Sequence, residues 1–322
     1  MFPHPRYRRR AYCRLLPFLG GVLGACTESP SVRTDSTSVP PGAARALTPA
    51  DTDDFGAPLP IDARYATRVV SLNPTATEAI FAMGAGATVV GRSRWDEFPA
   101  EARAVPAVGD GIRPAVETVL AQRPSLVILY ATAENRAAAE QLARAGVRTL
   151  AVRVDRIAQF HALVRTLGVA LGVEQRARAV SDSIRGTLDR VQRLTAALPA
   201  AARPRVVWPV WTTPPMVVGG GSYLDELLTI AGADNVFHDV ALPSPSVSIE
   251  EIVRRAPRFV VTSARQSAAL RANATWRVLP AISRQQFVIE DPAITGRPSV
   301  VLGMAATQLA RALHPTLADS LP

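Results

Sequence analysis

Lysine is absent from this sequence: all 36 basic residues among its 322 are arginine. We read that as a bias of genome composition, and the basic balance weakens once its position is considered. The formal charge of +9 includes Arg6, Arg8, Arg9, Arg10 and Arg14; residues 1–25 hold those five arginines and no carboxylate, so the remainder carries 31 − 27 = +4. The other arginines are spread through helical patterns without any nucleic-acid module, which excludes nucleic acid as the partner.

Cysteine is nearly absent as well. Cys13 and Cys26 are the only two, both near the N-terminus, so the body of the chain can form no internal disulfide and supports no thiol redox chemistry or cysteine metal site. His4, His161, His238 and His314 are far apart in sequence and form no HxxxH or HxxEH pair. No metal site is therefore expected, and each histidine reads as a surface or helix-end residue. The sequence also lacks a G-x-S-x-G elbow, a Walker loop and G-x-G-x-x-G. With no nucleophile and base in sight, the chain reads as a protein without catalytic residues.

What is present begins with an export signal. A cationic stretch to Arg14 precedes the apolar run Leu15 to Ala25, which is too short to span a bilayer as a helix. Leu23-Gly24-Ala25-Cys26 resembles the bacterial lipobox, and that resemblance makes Cys26 the acylated first residue of the mature chain. Residues 26–62 are rich in Pro, Ser, Thr, Asp and small residues without apolar periodicity, the composition of a disordered tether.

From Arg68 onward strands and helices alternate. Strands are expected at Arg68–Leu72, Val89–Gly91, Leu126–Tyr130 and Thr149–Val152, with helices at Thr75–Met83, Pro114–Gln122 and Asn135–Ala145. Near-continuous apolar strands separated by helices imply a parallel sheet covered on both faces. The plan then returns. Glu117 through Pro124 followed by Leu126-Val127-Ile128 is echoed by Glu250 through Pro257 followed by Phe259-Val260-Val261, and Arg68-Val69-Val70 recurs as Arg205-Val206-Val207. In both copies the first glutamate precedes the proline by seven residues, and the copies stand 250 − 117 = 133 apart, which suggests a duplicated lobe. Between them residues 156–198 show no strand signal and end in a helical run over Glu174–Leu198, roughly 37 Å long at 1.5 Å per residue.

The expected fold is thus α/β: two Rossmann-like lobes, each a mostly parallel central sheet flanked by helices, joined by one long interlobe helix. The expected parts are a signal over 1–25, the tether over 26–62, a first lobe over 63–155, the helical connection over 156–198 and a second lobe over 199–322. Gly219-Gly220-Gly221-Ser222 stands between a strand at Met216–Val218 and a helix at Tyr223–Ala231. It is read as a tight turn capped by Ser222, with an anion at the helix start as the alternative.

Aromatic residues are scarce, at 6%, yet Trp95, Tyr130, Trp208 and Trp211 fall at or just beyond the carboxyl ends of expected strands. In parallel α/β sheets that edge faces the ligand crevice, so these side chains are candidates for stacking on a flat or apolar ligand.

Residues 64 to about 315 resemble the periplasmic-binding family for cobalamin and ferric siderophores, the cobalamin binders most of all. The residues that carry the resemblance are Arg68 through Pro74 with Thr77-Glu78, Val90-Gly91 with Trp95-Asp96-Glu97-Phe98-Pro99, Val116-Glu117 through Pro124, and Val247-Ser248-Ile249-Glu250 through Pro257. The resemblance implies a ligand held between two lobes and delivered to an ABC permease driven by its ATPase, by a monomeric, extracytoplasmic (periplasmic) lipoprotein with no cofactor of its own. It implies ligand contacts from Trp95 and Tyr130 and permease docking through Glu117 and Glu250; Asn73, Trp208 and Trp211 complete the candidate ligand contacts. Two departures bear on the ligand: Ser244 stands where a cobalamin binder has tryptophan, and Trp211 is displaced by one position. Arg265 and Arg297, in loops after expected strands, would suit an anionic ferric chelate instead. A heme or metal-ion binder of similar build is the remaining alternative.

Overall fold

In the computed structural model, which describes residues 51–61 and 64–322, the first lobe is a five-stranded parallel sheet of order β3-β2-β1-β4-β5. Its elements are β1 (Val69–Ser71), α1 (Pro74–Ala82), β2 (Val89–Ser93), β3 (Ala107–Gly109), α2 (Val116–Ala121), β4 (Leu126–Tyr130), α3 (Ala133–Arg144) and β5 (Arg148–Val152). Val69 and Val70 and the run Leu126–Leu129 are wholly buried, because helices cover both faces of the parallel sheet and leave no polar side to the strands. The signal, Cys26 and most of the tether lie outside the described residues.

Two helices follow, α4 (Ile157–Leu171) and α5 (Glu174–Ala196), separated by a turn in which Gly172 takes φ +67 as the left-handed C-cap. The second lobe contains β6 (Arg205–Val207), β7 (Pro209–Thr212), β8 (Pro215–Val217), α6 (Tyr223–Ile230), β9 (Asp234–Asn235), α7 (Ile249–Arg254), β10 (Phe259–Ser263), α8 (Ala264–Ala272), α9 (Pro280–Ser283), β11 (Phe287–Glu290), α10 (Pro292–Thr295) and α11 (Leu302–Leu313). Its sheet is parallel, in the order β11-β10-β6-β9. The strand expected at Met216–Val218 forms β8 instead, paired antiparallel with β7 in a separate hairpin.

The repeat is exact at its elbows. Each of α2 and α7 is followed by one αR residue (Gln122, Arg255), one left-handed residue (Arg123 at φ 49, Ala256 at φ 46) and a proline. The arginine that opens the neighbouring strand then reaches back to the freed carbonyls. Arg68 Nη2 donates to Gln122 O at 2.6 Å, and Arg205 Nη2 donates to Arg255 O at 2.6 Å. The amides of Ser125 and Arg258 meet Arg68 O and Arg205 O, each at 2.8 Å. Helix-end carbonyls need such partners, and both copies solve the problem with the same residue type.

One apolar cluster runs through both lobes, from Val69 and Ile128 by way of Phe160, Leu167 and Leu188 to Leu227, Val261 and Leu309. Smaller clusters, around Leu129 and Leu142 and around Trp276 and Ile252, belong to one lobe each. The helical connection is therefore embedded in core, and the described residues from 51 onward belong to one compact unit.

Residues 51–61, expected to be tether, fold back along β5. The Asp53 carboxylate accepts from the amides of Phe55, Ala57 and Ala151 at 2.8–2.9 Å, and Asp54 takes the Arg153 amide at 2.6 Å. The segment covers an edge strand whose amides would otherwise be free, so the ordered body begins before the expected boundary at 63.

Candidate functional site

The carboxyl edge of the first sheet is built around a buried acid. Asp96, 1% exposed, accepts from the Ser93 amide at 3.0 Å, the Ser93 hydroxyl at 2.8 Å and the Thr77 hydroxyl at 2.8 Å. The sharp turn this makes after β2 leaves Trp95 61% exposed, with the Arg94 guanidinium 5.2 Å from its ring centroid. Burial pushes the Asp96 carboxyl up from its ordinary value despite those hydrogen bonds. One strand over, the buried Asn135 amide donates to Tyr130 O and Gly111 O at 2.8 Å, while its carbonyl takes the Arg113 amide at 2.9 Å. Asn135 thus fastens the loop bearing exposed Ile112 to the end of β4, where Tyr130 is partly exposed. Sequence reading missed Asp96 and Asn135 as organisers of the site; for Asp96 the available signal was a carboxylate three residues after the end of a strand, and for Asn135 no local pattern marks its burial.

On the second lobe the β7–β8 hairpin presents Trp211, 61% exposed, with its indole N–H donated to Thr213 O at 2.8 Å. Beneath the hairpin lies Trp276, fully buried and bonded to Thr212 O at 3.0 Å. Trp208 is a correction: at 4% exposed it belongs to the core, because at the junction of β6 and β7 it packs into the large apolar cluster that runs through both lobes. Asn73 is a correction of another kind. It is 2% exposed and its amide is engaged as the cap of α1 and as a donor to Val152 O, so its role is to hold α1 to the sheet edge.

The two edges meet at an ion pair between Glu78 of α1 and Arg297, just after α10. Glu78 is 2% exposed; burial raises its carboxyl from the ordinary value, and Arg297 only partly reverses that. Arg297, expected to be free for an anionic ligand, is therefore already paired. Nearby, the Tyr223 hydroxyl donates to Thr295 O at 2.5 Å; burial pushes its phenol up, with Arg297, Glu290 and Tyr130 as electrostatic neighbours. Tyr130 of the first lobe and Arg297 of the second thus both act electrostatically on Tyr223. Arg265 is exposed in the first turn of α8 rather than in a loop, and Ser244 is exposed in the segment that covers the glycine turn. In that turn the Gly219 and Gly220 amides bond to Pro243 O and Val240 O, and a Cβ on Gly220 would stand 2.0 Å from His238 O. The amides are consumed and glycine is required by close approach, so the capped-turn reading with Ser222 stands.

Glu117 and Glu250 are exposed, each the second residue of its helix, at equivalent positions in the two repeats. Among the described residues, no three His, Cys, Asp or Glu side chains converge as a metal site, and no helix is long and apolar enough to cross a membrane.

A family model described as periplasmic binding protein matches residues 69–294. The vitamin B12-binding protein of Salmonella typhimurium is 28% identical over 258 residues, covering 79% of this chain and 93% of that one. Among solved structures, the periplasmic vitamin B12 binding protein BtuF of Vibrio cholerae superposes with a TM-score of 0.66 at 22% identity, covering 79% of this chain and 98% of the other. A periplasmic heme binding protein from Pseudomonas aeruginosa gives 0.69 at 26%, covering 78% and 94%.

Proposed function

The chain belongs to the periplasmic binding protein family, and from that premise we propose that it captures cobalamin or a related corrinoid between its lobes for an ABC importer. The observation that carries this reading is the pair Trp95 and Trp211, one on each lobe and each 61% exposed. Large exposed aromatics are costly on a soluble surface unless something covers them. Tyr130 and Ile112 extend the same apolar edge, which suits a broad ligand of low charge better than a hydroxamate or catecholate chelate. The near full-length likeness to vitamin B12-binding proteins supports the same class. Catalysis has no part in this reading.

Glu117 and Glu250 dock to arginines of the permease, which its ATPase drives. Their positions fit the role: each stands exposed on a first helical turn, and the Glu250 carboxylate is held below its usual range by its own amide and Ser248. The protein acts in the periplasm as a monomer, and Cys26 carries its lipid anchor.

Isothermal titration with cyanocobalamin, dicyanocobinamide, a ferric hydroxamate and heme tests the reading. Micromolar or tighter binding of the corrinoids, weakened in Trp95→Ala, is the expected result; binding of the ferric chelate alone would reassign the substrate. Heme is the second reading, favoured by the heme-binding structural relative and by Tyr130 as an oxygen donor at the cleft. Loss of a heme absorption band in Tyr130→Phe would select it. Mass spectrometry of Cys26→Ser against the native protein tests the anchor.

A further inference from the structure

His161 sits within α4 and is 6% exposed, yet neither ring nitrogen has a hydrogen-bond partner. Buried polar atoms in native proteins almost always have one. The ring stands edge-on to Phe160, their centroids 5.9 Å apart, and it lines two adjoining hollows of about 260 and 710 Å³ between α4, α5 and α6. Arg165 and Arg185 line both hollows with it, and Arg178 lines the smaller one.

The charges around it are unevenly engaged. Glu226 is taken by Arg156 at 2.7 Å; Asp225 is taken by Asn235 at 2.8 Å and His238 at 2.8 Å. Asp182, 72% exposed, is 3.5 Å from Arg185 and lines the smaller hollow with Glu174, while Asp189 lines the larger. Among the described residues Arg165 has no ion-pair partner. Burial and Arg185 both favour the neutral imidazole, with Asp182 opposing, so the ring offers one N–H donor and one lone pair.

We propose that this hollow, whose lining includes none of the candidate cleft residues Trp95, Ile112, Tyr130 and Trp211, is a second binding site for a small oxyanion of phosphate or carboxylate type held by Arg165, Arg185 and the His161 N–H. Guanidinium groups and a buried donor are the recognition chemistry of such anions. The place also has a consequence for the fold: α4 starts on the second lobe, where the Ile157 amide meets Glu226 at 2.7 Å, and α5 packs on α6 and α11. An anion here braces the connection between the lobes.

The test is ring-nitrogen NMR of His161 in the full chain, titrated with inorganic phosphate and, separately, succinate, with chloride matched for ionic strength. We expect a saturable His161 shift with at least one of the two anions and none with chloride; which one responds assigns phosphate or carboxylate. In Arg165→Ala affinity falls roughly tenfold or more, as loss of a charge-assisted hydrogen bond implies, while cleft binding is unchanged. No shift, a linear shift shared by chloride, or an unaltered isotherm in Arg165→Ala would overturn the site. His161→Phe keeps the packing, and calorimetry with the same anion should then show weaker binding; unchanged binding would also overturn it.

Discussion

The two elbows of the molecule, one around α2 and one around α7, share a backbone nearly residue for residue and differ in almost every side chain. At the first, no side chain caps the helix and Glu117 stands without neighbours of opposite charge on its own turn. At the second, Ser248 caps the helix, and Arg255 binds Glu251 at 2.6 Å, Asp239 at 2.9 Å through its second nitrogen and, in cation–π contact at 4.5 Å, the Phe237 ring. The backbone repeat follows from proline and from the carbonyls that a helix end must satisfy. The side chains answer instead to what each lobe packs beside the elbow, so a duplicated fold carries one backbone geometry on two different electrostatic surroundings.

The contact that joins the lobes is the most sensitive to change. Arg297→Ala leaves Glu78 buried without its partner and should cost about 3–5 kcal/mol in a denaturant midpoint. The loss should shrink in mild acid, where Glu78 protonates, and shrink again in the Arg297→Ala, Glu78→Gln double variant; an additive double variant would refute the pairing. Next comes the elbow asymmetry: Arg255→Ala should cost about 1–3 kcal/mol, and Gln122→Ala, at the equivalent position, within about 0.5 kcal/mol of nothing. Equal losses at both would show that the second network adds no stability.

Ion-paired and buried acids should also give opposite pH dependences. Arg254 and Arg255 hold the Glu251 carboxyl down at about 2, so its contribution is present above the unfolded value and lost as pH falls through that range. Glu78 and Asp96 in the first lobe are raised by burial, as Glu290 is in the second; their contribution is present below the unfolded value and lost as pH rises through the raised one. Urea midpoints measured across acid pH should show a smaller mild-acid gain in Asp96→Asn and a smaller strong-acid loss in Arg255→Ala. The smallest effect restores the symmetry: Arg123→Gly and Ala256→Gly relieve the same left-handed strain, and each should raise stability by a few tenths up to about 1 kcal/mol, equally. Unequal gains would mean that neighbouring side chains, not the backbone, set the elbows.

Much of the fold was legible. Strands such as Leu126–Tyr130 and helices such as Glu174–Ala196 stand out because apolar periodicity is a local property of the chain. Short pieces escaped: β3 holds three small residues, β9 two, and the β7–β8 hairpin is interrupted by Pro214 and Pro215, so their pairing is settled by neighbours far away in sequence. Trp95, Tyr130 and Trp211, picked out by their places after strands, do stand exposed, and the same rule misplaced Trp208, which is buried in the core.

By itself the sequence determined the duplicated α/β plan, the helical connection and the two matching elbows, because periodicity, proline and helix-end chemistry act over a few residues. Only the tertiary structure decided that Glu78 meets Arg297, that Asp96 holds Trp95 outward, that residues 51–61 cover β5 and that His161 is buried without a partner. Each of those depends on segments distant in sequence enclosing a polar group, and it is burial, which no local pattern encodes, that fixes what such a group must bond to.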